Sequence, residues 1–153
     1  MAPRIINGSA ELKTLVGEHI GYSEWMDITQ ERVNLFADAT GDHQWIHVDP
    51  ERATKESPFG GPIAHGYLTL SLGPVLMPQV AITTGFKMGV NYGCNKVRFM
   101  SPVPVGAKLR LGVKLLQVDD IPGGIQTTYE FVFECEGAAK PSCVAEVIYR
   151  SYE

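Results

Sequence analysis

A chain of 153 residues is long enough for one domain, 1–153, whose hydrophobic core needs no metal or disulfide staple. Hydrophobic residues at 44% and charged residues at 20% mark a globular protein, not a disordered chain or a coiled coil. The net charge of −4, from 13 basic and 17 acidic residues spread along the length, offers no basic face to a nucleic acid, and no span approaches the ~20 apolar residues a membrane helix needs.

Taken in chain order, Met1 to Leu15 mixes Arg4, Asn7, Glu11 and Lys13 among its apolar residues and so lacks the apolar stretch of a signal peptide. Thr29 then stands as a cap before Gln30 to Ala39, where Val33, Phe36 and Ala37 recur at helical spacing, and Gly41 ends the helix. Asp49-Pro50-Glu51 reads as a second helix start, because Asp accepts free amides and Pro lacks a donor that the first helical position does not use. Pro58 to Pro62 is loop. From Ile63 to about Met77 the apolar residues Leu68, Leu70, Leu72, Val75 and Leu76 fall on nearly every side, which predicts a helix wrapped by other structure, kinked or ended at Gly73-Pro74.

After Phe86 the period changes to two. Leu109, Leu111, Val113 and Leu115 alternate, and so do Ile125, Thr127, Tyr129, Phe131, Phe133 and Cys135, as in half-buried antiparallel strands. Asp119 to Gly124 supplies the turn between them, Gly137 to Pro141 the next, and Cys143 to Tyr149 and Val97 to Phe99 are further strands. Helical signals first and strands later give an α+β class, and a sheet curled round one apolar helix, the hot-dog arrangement, buries both. Cys94, Cys135 and Cys143 form no Cys-x-x-Cys pair and are odd in number, so they read as packing residues in a reducing compartment, the cytoplasm.

Polar and titratable groups crowd into Gly41-Asp42-His43-Gln44-Trp45-Ile46-His47 and Ala64-His65-Gly66. If Asp42 and His47 grip one water, their functional atoms lie within about 6 Å of each other. An extended chain would separate the two residues by roughly 17 Å, and a helix would turn them about 140° apart, so the segment must bend into a compact loop. At neutral pH an ordinary Asp is ionised and an ordinary His is largely neutral, so the two can polarise a water between them.

These residues resemble the MaoC-like dehydratases, including the (R)-specific enoyl-CoA hydratases, and the related NodN-like proteins. The family pattern Gly-Asp-x-Asn-Pro-[Leu/Ile/Val]-His stands here as Gly41 to His47, with Gln44-Trp45 in place of Asn-Pro. An acidic-Pro helix start and a His-Gly opening the central helix follow as Asp49-Pro50 and His65-Gly66. The resemblance implies a hot-dog fold, a homodimer and a hydro-lyase that adds water to a trans-2-enoyl-CoA to give a 3-hydroxyacyl-CoA, of 3R configuration. Asp42 is then the first choice as base, and His47 orients the water and acts as acid toward the carbon next to the carbonyl. The Gly66 amide receives the enolate oxygen, because general acid–base help alone supplies only about 10²–10⁴ in rate. His65, Gln44, Asn91 and Tyr92 are further candidates for substrate contact. No cofactor or metal is called for beyond the coenzyme A that the acyl-thioester substrate carries.

Other assignments are bland or competing. His43 and His47, four apart, would suit zinc only on a continuous helix, which Asp49-Pro50 cuts short. Trp45 is a packing residue, and Lys96 and Arg98 read as the solvated face of a strand. A hot-dog thioesterase is the rival enzyme, disfavoured because Tyr67 to Met77 contains no acidic residue. A non-catalytic acyl-binding protein of the NodN-like kind is the rival without turnover.

Overall fold

The computed structural model describes residues 2–153. Its elements are β1 (Arg4–Ile6), α1 (Gly8–Thr14), β2 (His19–Tyr22), β3 (Met26–Asp27), α2 (Gln30–Thr40), α3 (Trp45–Val48), α4 (Pro50–Glu56), α5 (Gly66–Ser71), α6 (Gly73–Val80), β4 (Ala81–Thr83), β5 (Met88–Phe99), β6 (Lys108–Ile121), β7 (Gly124–Cys135) and β8 (Cys143–Tyr152). Two helix starts follow from local capping chemistry. The Thr29 hydroxyl accepts the Arg32 amide at 3.1 Å, and the Asp49 carboxylate accepts the Arg52 amide at 3.1 Å. Each satisfies a donor that the helix itself leaves free. Gly41 closes α2 with φ 85°, a left-handed conformation that strains any residue with a Cβ.

Six strands make an antiparallel sheet in the order β2-β6-β7-β8-β5, with β3 also paired to β6; β1 and β4 form a separate parallel pair. The period-two residues of β6 and β7 are buried on one face, joined by Cys143, Ala145 and Val147 of β8. Strand β6 runs through Asp119 and Asp120 to Ile121, which pairs with Gly124. The connection is therefore only Pro122-Gly123, shorter than the six-residue turn expected. Register shifts interrupt β6 between Leu115 and Gln117 and β5 in two places. Such bulges bend and twist their strands, which curls the sheet.

The buried face of the sheet meets a spine of Leu68, Leu72, Leu76 and Val80, four residues apart along α5 and α6. Gly73 lets the helix come down on the sheet: a Cβ there would lie 2.9 Å from the Phe131 ring. The helix differs from the sequence expectation at both ends. It begins at Gly66 rather than Ile63, because the chain just before it is drawn into strand-like bonds with a distant segment. The Ala64 amide donates to Val103 at 2.8 Å, and the Val105 amide donates to Pro62 at 3.0 Å. The break expected at Gly73-Pro74 is present, since α5 ends at Ser71 and α6 starts at Gly73 with Pro74 in its first turn, where a missing donor costs nothing; α6 then runs past the expected Met77, through Pro78 to Val80.

The apolar helix is not enclosed on all sides within one chain. Tyr67 is 70% exposed and Val75 50%, and β5 lies at a sheet edge with every residue except Val97 exposed. Cys135 and Cys143 are buried as packing residues, whereas Cys94, on that edge, is exposed and does not pack. Among the described residues no helix is long and apolar enough to cross a membrane.

Candidate active site

The bend that brings the polar residues together is made just after α2. Past Gly41, the Asp42 amide donates to the Thr40 hydroxyl at 3.3 Å, and the Asp42 carboxylate accepts the Gln44 amide at 3.3 Å. A short side chain bonding the backbone two residues on turns the chain without any regular element. The loop does not stay irregular as far as Asp49, however. Trp45–Val48 completes one helical turn, closed by the His47 amide on the Gln44 carbonyl at 3.0 Å. Because Asp42 stands before that turn, the wide angular separation of a continuous helix does not arise. One titratable atom each from Asp42, His47 and His65 lie within 4.8 Å of one another, inside the reach of a shared water.

His47 is 7% exposed, and its Nδ1 lies 2.7 Å from the Ile63 carbonyl oxygen. A carbonyl only accepts, so Nδ1 carries the proton, and in the neutral ring Nε2 is a bare acceptor. Burial is the main cause holding the His47 pKa below 6.5; the Ile63 bond and the Asp42 carboxylate pull it back upward, and the neighbouring His65 presses it down. The turn is tied to α2 by Gln30, whose amide donates to the His47 carbonyl at 2.8 Å and to Asn34 at 2.9 Å. Sequence reasoning passes over Gln30, since nothing local marks a helix's first residue as reaching a chain segment 17 positions away.

His65, 2% exposed, is in the same cluster: its Nε2 donates to the Asp42 backbone carbonyl at 2.9 Å, and its ring stacks on His47 with centroids 3.9 Å apart. Gly66 follows as the first residue of α5, and its amide meets no protein acceptor among the described residues. It lines a cavity of about 350 Å³ with Ile63, Ala64, Thr69, Phe99 and Ser142. Asn91 and Tyr92 lie elsewhere, in a cavity of about 370 Å³ between β5 and Leu70, Ser71 and Pro74. Tyr92 there carries the Arg150 guanidinium over its ring at 3.6 Å. Gln44 caps α3 by backbone alone, its side chain making no capping bond.

The remaining candidates fall to surface roles. Trp45 packs beneath the Arg52 guanidinium at 4.2 Å, and Arg98 bonds the carbonyl of its neighbour Val97. His43 points away from His47 to Asp38 at 2.9 Å, a bond that is the main cause raising its pKa above 6.5. Asp42, His47 and His65 have the donor types of a metal site but not its directions. A cation lies in the plane of each imidazole at about 2.0–2.1 Å from nitrogen. Two rings stacked at 3.9 Å and inclined by 24° share no such point.

An antiparallel sheet curled against one apolar helix, with a carboxylate and an imidazole set together ahead of the helix start, defines the hot-dog hydratase class. Residues 11–130 match the MaoC like domain, and the chain belongs to that family. It is 54% identical over 148 residues to 3-hydroxyacyl-thioester dehydratase Z of Mycobacterium tuberculosis, covering 96% of this chain and 97% of that one. It is 46% identical over 145 residues to Nodulation protein N of Rhizobium leguminosarum bv. viciae, covering 91% and 88%. The fold is shared with the (R)-hydratase from A. caviae involved in PHA biosynthesis, at a TM-score of 0.70 and 22% identity over 86% of this chain and 95% of that one. The chain is accordingly an enzyme of the hydratase/dehydratase type.

Proposed function

We propose that this protein adds water across the double bond of a trans-2-enoyl thioester of the coenzyme A type, and catalyses the reverse dehydration, with Asp42 and His47 as the acid–base pair. The observation that carries this is the Asp42 carboxylate and the His47 imidazole within 4.8 Å of each other, just ahead of a helix whose opening amide is free. The 54% identical relative named a 3-hydroxyacyl-thioester dehydratase supports the substrate class.

The tautomer of His47 sets the order of events. With Nδ1–H committed to Ile63, the neutral ring accepts at Nε2, so a water between the pair donates one hydrogen to His47 and one to Asp42. Its oxygen lone pair is then free to attack C3 of the enoyl group. As the C3–O bond forms, the double-bond electrons move toward the carbonyl, and the Gly66 amide stabilises the charge that grows on the thioester oxygen. An oxyanion donor of this kind is worth about 10²–10³ in rate. His47 has no proton to give at the outset. It therefore takes the proton that water loses, in place of Asp42, which orients the water through its other hydrogen, and then as acid returns that proton to C2. Water has been split into a hydroxyl on C3 and a hydrogen on C2, and no step requires a metal or an organic cofactor.

Ile63, whose carbonyl sets this tautomer, lines the cavity at Gly66, and the second cavity, along Leu70, Ser71 and Pro74, provides room for acyl carbons. The 3R product, a cytoplasmic location and a single domain over all 153 residues belong to the same proposal. So does a homodimer, in which a second copy covers the β5 edge and the exposed side of α5. The test is crotonyl-CoA with the purified chain, following the conjugated-enoyl absorbance and free thiol together. Loss of the double bond without thiol release is expected, as is a drop of at least about a hundredfold for Asp42→Asn. Thiol release with the double bond intact would make the protein a thioesterase, and undiminished turnover by Asp42→Asn would remove Asp42 from the chemistry.

A further inference from the structure

His65 does not have the exposure of a residue that greets substrate. It is 2% exposed, while the Asp42 side chain, half of the proposed pair, is 53% exposed. One nitrogen of the His65 ring is bonded to the protein's own backbone, and the other is buried. Nε2–H donates to the Asp42 backbone carbonyl at 2.9 Å, and Nδ1 is buried with no partner. The Nε2 bond fixes the orientation of the ring. Its face lies on His47 at 3.9 Å and 24°, and Phe36 backs it at 4.8 Å.

The tether matters because Asp42 has few others. Its remaining hydrogen bonds, to Thr40 and Gln44, reach only two residues along the chain, whereas the bond from His65 spans 23. The same side chain immediately precedes Gly66, the proposed oxyanion donor. Main chain of the carboxylate residue, ring plane of the imidazole and head of the helix all meet at one buried group.

We infer that His65 is a positioning residue: its Nε2–H holds the main chain of Asp42, and its ring face holds the plane of His47, without contact to the substrate. This rests on Asp42 and His47 being the acid–base pair. Displacement of a reacting group by about 1 Å costs on the order of a hundredfold in rate, so a lost tether reads out in kcat rather than in KM. Both Asp42 and the Phe36 ring face His65 together with His47, and of these Asp42 is the charged group; its carboxylate lies 4.0 Å from Nε2.

Three variants of the full chain separate the alternatives. The amide nitrogen of Gln reaches the place of Nε2, that of Asn reaches only the place of Nδ1, and Phe keeps the ring without a donor. His65→Gln should retain kcat within about threefold, while His65→Asn and His65→Phe lose about tenfold or more with KM little changed and far-UV circular dichroism unaltered. Activity kept by Asn but lost by Gln, or a rise in KM at constant kcat, would make His65 a substrate contact and overturn the inference. Equal losses in Gln, Asn and Phe would leave it a packing residue only. If His65→Phe fails to fold, the Gln and Asn pair decides. Asp42→Asn assayed alongside keeps the two levels apart: full turnover there defeats the acid–base pair itself, whatever the His65 variants do.

Discussion

Replacing His47 by Asn takes away half of an imidazole and leaves the other half. The Asn amide nitrogen occupies the place of Nδ1 and can still donate to the Ile63 carbonyl, now 2.7 Å from the ring. Nothing replaces Nε2, the only part of the ring free to accept from water. Loss of general acid–base help of about 10²–10⁴ corresponds to roughly 3–5 kcal/mol of barrier at about 1.4 kcal/mol per tenfold, and stability should hardly change. His47→Leu should lose the same activity and, in addition, about 1–3 kcal/mol of stability, because the Ile63 carbonyl is left without its partner. Enoyl-CoA absorbance gives the rates and urea unfolding the stabilities. Turnover by His47→Asn within tenfold of the parent would refute the role of Nε2, and equal stability of the Asn and Leu variants would refute the role of Nδ1.

Gly73→Ala should cost about 1–3 kcal/mol in urea unfolding, since its Cβ would come 2.9 Å from Phe131. That ring is 1% exposed and enclosed by Tyr129, Phe133 and Tyr149, so it has nowhere to yield. Because burial holds His47 below 6.5, the acid limb of kcat/KM should have its midpoint under pH 6.5; a midpoint at or above that value would contradict a buried, neutral His47. The same depressed pKa gives folding a contribution that is present above pH 6.5 and lost as pH falls through the folded-state value, visible as a falling urea midpoint in that window. Light scattering should report twice the 16.8 kDa chain mass, and Tyr67→Glu, at a position 70% exposed in one chain, should release folded monomer; a monomeric parent protein would rule out the dimer.

What could be read from the sequence was whatever is decided within a few residues. Thr29 and Asp49 cap their helices by bonds to amides three positions on, and the alternation in β6, β7 and β8 declares which face of each strand is buried before any partner is known. The bend at Asp42 and the short turn through His47 are likewise local devices, whereas the meeting of His65 with Asp42 closes over 23 residues. The short elements β1, α1, β2, β3 and β4 carry too few residues for any period to show. Tertiary structure alone decided the rest. It delayed the helix to Gly66 through bonds to Val103 and Pro62, separated Asn91 and Tyr92 from the pair, left Cys94 on an open edge, and brought Gln30 beneath His47. It also chose which nitrogen of His47 is free, because that depends on a carbonyl 16 residues away. The physical reason is the same in each case: a hydrogen bond closed over a long stretch of chain forms only when the whole packed core holds its two ends together, and no local pattern of residues encodes that closure.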